Sequence, residues 1–99
     1  MQIVVSHNTT KEKARAIVEK RLEELRRQYG HYASDVEANW TGDRLDISFK
    51  AKGFHGKGSL EITGTEVILD GKLPLIAKPF EPRIRSTVEQ EAEQMFRQA

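Results

Sequence analysis

Cysteine is absent from the 99 residues of this chain. Its absence excludes disulfide bonds, thiolate zinc sites and cysteine nucleophiles, and it suits a reducing compartment such as the cytoplasm. Long apolar runs are missing too: no segment approaches the roughly 18 apolar residues of a membrane span, and the N-terminus lacks the pattern of a signal peptide. We therefore expect a cytoplasmic protein with no membrane-spanning segment.

A strong excess of charge of one sign is also missing. Sixteen basic and fifteen acidic side chains give a formal net charge of +1, whereas a dedicated nucleic-acid binder usually carries a marked basic excess. The charge balance therefore argues against nucleic acid as a partner, unless a local patch recognises it. Hydrophobic residues make up 37% of the chain, which is normal for a folded protein, and the length suits a single domain over residues 1–99.

Catalytic and metal-binding patterns are also missing. The histidines have neither HxxxH nor HxH spacing, which a local metal site would favour. No serine stands in the context of a nucleophile elbow. We expect no catalytic residue, no metal site and no cofactor, and therefore a protein without enzyme activity.

The chain begins with the patterns of a strand and a helix. Residues 2–6 place Ile3 and Val5 on one face, as a strand with one buried side would. Residues 10–29 then carry apolar side chains at spacings of three and four, and Gly30 follows as a stop signal. A short first strand and a long amphipathic helix are therefore predicted.

After residue 32 the apolar period changes from 3.6 to 2, which predicts strands. Turn signals at residues 41–43, 53–58 and 64–65 separate four such segments, as in an antiparallel meander. A second helical stripe closes the chain: Phe80, Ile84, Val88, Ala92, Met95 and Phe96. This order predicts an α+β two-layer sandwich, a reduced helix-grip-like arrangement with both helices on one face of a curved sheet.

The glycine-rich run at residues 53–58 superficially resembles a phosphate-binding loop. Such a loop leads from a strand into a helix, whose N-terminal amides hold the phosphate. Here strand patterns stand on both sides, so the run predicts a hairpin with Phe54 and His55 at its tip. These residues form a candidate partner contact together with three nearby lysines: Lys50, Lys52 and Lys57. The lysines alternatively belong to a solvated strand surface, and an anionic-partner or nucleic-acid module is a weaker alternative.

Two apolar features are further candidates. Val4 and Ile68 would form an apolar spot on the polar outer face of the sheet, suited to homodimerisation or docking, or they are two scattered exposed aliphatics. A groove between the sheet and the last helix would suit an acyl or other small apolar ligand, unless core side chains fill it. Its predicted lining is Trp40, Phe49, Phe80, Ile84 and Met95.

Three stretches together resemble the polyhydroxyalkanoic acid system protein family, small bacterial proteins associated with polyhydroxyalkanoate granule gene regions. They are the helix KARAIVEKRLEELRRQYG, the hairpin WTGDRLDISF and the run GFHGKGSLEITGTEVILDGKLPLIAKPFEPRI, followed by the closing amphipathic helix. The resemblance implies a non-enzymatic cytoplasmic protein that acts on the surface of storage-polyester granules or in their regulation. The partners it implies are the granule surface or granule proteins.

Overall fold

The computed structural model describes residues 1–31, 34–51, 54–72 and 75–97. It confirms the predicted α+β architecture: five antiparallel strands form an open sheet of order β1-β5-β4-β3-β2, accompanied by two helices. The elements are β1 (Gln2–Ser6), α1 (Lys11–Tyr29), β2 (Ser34–Thr41), β3 (Arg44–Ala51), β4 (Phe54–Ile62), β5 (Glu66–Lys72), a 3-10 helix (Leu75–Phe80) and α2 (Glu81–Arg97).

Helix α1 begins and ends where its local sequence predicts. The side chain of Thr10 accepts a hydrogen bond from the Lys13 N–H at 3.2 Å, which satisfies one of the donors left free at a helix start. Gly30 follows the last helical residue, but its φ of −59° and ψ of −24° are right-handed. The helix therefore ends without the left-handed glycine that often closes a helix.

The core lies between one face of the sheet, here called the inner face, and the two helices. Strand residues from β1, β3, β4 and β5 meet apolar residues of α1 and α2 there. The buried members are Ile3, Val5, Ala14, Val18, Leu45, Leu60, Ile62, Val67, Ala92 and Phe96. Both helices consequently cover the same face, as the element order predicts.

His7 is a fully buried polar residue at the end of β1. Its Nδ1 accepts a hydrogen bond from the Thr9 N–H at 3.1 Å, so the proton lies on Nε2, which donates to the Thr63 carbonyl at 2.9 Å. The ring also lies 6.4 Å from the ring of Phe96, centroid to centroid. One side chain therefore connects the start of the chain, the β4–β5 turn and α2.

The predicted position of the hairpin tip is wrong. His55 lies within β4, opposite Lys50 in the β3 ladder, and Gly56 and Gly58 lie in the same strand. Both glycines lie at inner-face positions, where a strand usually carries apolar side chains. The sequence here therefore lacks the alternating pattern that predicts a strand. Phe80 also departs from the predicted stripe of α2, because it lies mostly exposed in the preceding 3-10 helix.

Candidate ligand groove

An open apolar groove lies on the inner face between the second half of α1 and the strands β2 and β3. Its volume is about 450 Å³, within the range of clefts that bind small ligands. It is lined by Leu22, Leu25, Arg26, Gly30, Val36, Ala38, Ile47 and Phe49. Its exposed members include Val36, at 37%, and Phe49, at 39%, so apolar surface here is available to a ligand.

The groove lies where the side chains of α1 only partly cover the two strands. The strand residues that line it are partly buried or exposed. Side chains connect the helix and the sheet near the start of the helix, where the Arg15 guanidinium lies 4.2 Å from the centroid of the Trp40 ring. Lys11 also pairs with Asp43 at 2.9 Å. The other end of β2 and β3 remains uncovered.

The Phe49 ring lies across the neighbouring strand β4. Phe49 is paired with Gly56 in the ladder, and a Cβ atom added at Gly56 would overlap the ring. The aromatic side chain therefore occupies the space that a β4 side chain would otherwise fill, as aromatic residues do beside strand glycines. This arrangement exposes one aromatic surface in the groove.

A β-bulge in the edge strand β2 places Val36 in the groove. Ser34 pairs with Lys50 and Glu37 pairs with Ser48, so two residues of β2 face Phe49 alone. The first of them, Asp35, has a φ of +52°, a left-handed conformation that aspartate tolerates better than most residues. The extra residue breaks the alternation of β2 and so sets which of its side chains face inward.

Arg26 is the charged residue of the groove. Of the four arginines in α1, Arg15, Arg21 and Arg27 pair with carboxylates, whereas Arg26 forms no ion pair with any described residue. The other lining residues are all apolar. Arginine offers five N–H donors and no acceptor, so the lining side chains present donors only.

The five residues predicted to line one groove do not come together. Phe49 belongs to the groove beneath α1, whereas Met95 lines a separate cavity of about 460 Å³ between the helices. Arg21 crosses that second cavity and pairs with Glu91 of α2 at 3.3 Å. Trp40 lies under Arg15, and Ile84 is partly buried on α2. The apolar groove therefore lies against the first helix, not the last.

The predicted apolar spot forms one cross-strand pair on the outer face. Val4 lies directly opposite Ile68 in the β1–β5 ladder, and Val4 is 50% exposed. Its use for dimerisation or docking stays a prediction.

Three residues of the predicted partner contact come together: Lys50, His55 and Lys57 line one open pocket of about 300 Å³. Lys50 lies 3.8 Å from Asp35, while Lys57 lies opposite Lys72. Lys52 and the side chain of Phe54 lie outside the described residues.

Residues 1–31, 34–51, 54–72 and 75–97 contain neither a candidate metal-binding cluster nor a helix that could span a membrane. No group of histidine, aspartate or glutamate side chains there has the arrangement of a metal site. Neither described helix combines the length and apolar character required to span a bilayer.

Comparison with known proteins assigns the chain to a family. The model of the polyhydroxyalkanoic acid system protein family matches residues 1–96, which confirms the resemblance seen in the sequence. No significant match was found among curated proteins or among solved structures. Because the family match spans nearly the whole chain, this protein belongs to the polyhydroxyalkanoic acid system protein family.

Proposed function

We propose that the protein is a non-enzymatic, cytoplasmic component of bacterial storage-polyester granules and contacts the polyester directly. Membership of the polyhydroxyalkanoic acid system family supports the granule context. The observation that carries direct contact is the open apolar groove beneath α1, with Val36 and Phe49 exposed in it.

Polyester contact follows from the chemistry of this surface. A polyhydroxyalkanoate presents alkyl groups and ester carbonyls, and burying its apolar surface against the groove contributes roughly 25 cal/mol per Å². The face of α1 outside the groove carries charged residues, including the exposed ion pair of Arg27 with Glu23. That helical face stays in water while the groove meets the polymer.

A second candidate function uses the same groove for a free acyl ligand. Its volume, about 450 Å³, is sufficient for a small apolar molecule. A protein of this kind would carry or sense granule precursors without attaching to the polymer surface.

Co-sedimentation tests the proposal. Purified protein is mixed with native granules and, separately, with protein-free polyester particles, and the pelleted fraction is measured. We expect pelleting with both, and no release of hydroxy acids from either. Pelleting with native granules alone would show that a granule protein is the partner, and direct contact would be wrong. Failure to pellet with either would overturn the proposal.

A further inference from the structure

Building on the proposed function, we infer that the groove holds a single linear polyester segment and that Arg26 donates hydrogen bonds to its ester carbonyls. The inference names the ligand chemistry and the polar contact, which the family description does not give. It rests on the balance of donors and acceptors in the groove.

The lining side chains favour a ligand that accepts hydrogen bonds and has none to donate. Seven of the eight lining residues are apolar, and Arg26 has donors only. A peptide strand or a sugar would bring N–H or O–H groups that no lining side chain accepts. A polyester interior has carbonyl acceptors and alkyl groups alone, so it leaves no donor unpaired.

The position of Arg26 determines where a carbonyl of the ligand would bind. Arg26 lies in the last turn of α1, and helix C-termini carry the negative end of the helix dipole. Gly30, just beyond that end, also lines the groove. The full positive charge of the guanidinium outweighs that partial negative charge, so Arg26 can hold a carbonyl oxygen of the ligand at this end of the groove.

The test titrates the protein with a short 3-hydroxyalkanoate oligomer that is O-acetylated at one end and methyl-esterified at the other. This probe has neither charge nor donors, and binding is followed by calorimetry and by amide chemical shifts. We expect saturable binding with shifts at the groove residues. Arg26→Met should weaken binding about tenfold, as expected for a lost hydrogen bond to a charged donor, and Arg26→Lys should recover part of the loss.

Arg27→Met is the matched control. Arg27 is the next residue on α1, is exposed and pairs with Glu23 at 3.7 Å, but it does not line the groove. The control should bind the oligomer as the unaltered protein does. Circular dichroism on both variants establishes that each is folded.

Three outcomes would overturn the inference: no binding of the capped oligomer, equal binding by Arg26→Met, or tighter binding of a fatty carboxylate of similar length. The proposed function is tested separately. Pelleting with polyester particles that is insensitive to Arg26→Met would uphold granule association and refute the role of Arg26. Oligomer binding through Arg26 without pelleting would uphold the groove assignment and refute granule association.

Discussion

Replacing His7 with alanine tests whether this buried imidazole holds together the end of the sheet where β1 ends and β5 begins. The ring is fully buried and makes two hydrogen bonds to backbone groups, at 2.9 Å to the Thr63 carbonyl and 3.1 Å to the Thr9 N–H. Alanine removes both partners and the packing of the ring near Phe96.

The expected loss follows from these contacts. A buried backbone group that loses its partner costs roughly 1–3 kcal/mol, and the vacated ring volume adds a cavity cost. Both hydrogen bonds are partly buried, so water entering the vacated space offsets some of this cost. We expect His7→Ala to lower the free energy of unfolding by about 2–4 kcal/mol, a large share of the roughly 5–15 kcal/mol typical of a domain.

His7→Asn separates the two hydrogen bonds. The asparagine Oδ1 takes the place of the histidine Nδ1 and can accept a hydrogen bond from the Thr9 N–H, while the hydrogen bond to the Thr63 carbonyl is lost. We therefore expect about half of the alanine effect.

Urea unfolding followed by circular dichroism measures the free energies, with an unchanged m-value showing that the unfolded state is comparable. A loss below about 1 kcal/mol for His7→Ala, or an asparagine variant no better than alanine, would refute the reasoning.

Three further predictions concern stability and use the same urea assay. Gly56→Ala should cost about 1–2 kcal/mol by displacing the Phe49 ring. In a Phe49→Ala background this cost should largely disappear, because the double-mutant cycle isolates the contact between the two positions. Lys57→Glu should raise stability by about 0.2–1 kcal/mol because Lys57 lies opposite Lys72; a gain that salt does not reduce would contradict this origin. Thr10→Ala should cost about 1 kcal/mol through loss of the helix cap, and no loss would show that the cap is dispensable.

The local sequence was sufficient where one short pattern determines an element. The alternation of Ile3 and Val5 predicted β1, and the apolar stripe of residues 10–29 with Gly30 after it predicted α1, with bounds that the structure confirms. Strand β4 was only partly predictable. Gly56 faces inward without a side chain, and its space is filled by Phe49 from the neighbouring strand, which no local pattern reveals.

The groove could not be located from the sequence for a different reason. Periodicity identified Ala38, Ile47 and Phe49 as inward-facing, but exposure depends on where the helices pack. The incomplete cover of β2 and β3 by α1 is a tertiary property. The predicted groove was therefore placed against the wrong helix.

The most direct test of polyester contact through the groove compares two matched variants in co-sedimentation with protein-free polyester particles. Val36 and Val4 are exposed valines on the two edge strands, Val36 in the groove and Val4 on the outer face. We predict that Val36→Lys abolishes pelleting, because a charge in the groove must lose its hydration to meet the polymer, and that Val4→Lys pellets normally. Loss of pelleting in Val4→Lys with normal pelleting of Val36→Lys would contradict the groove and assign the contact to the outer face.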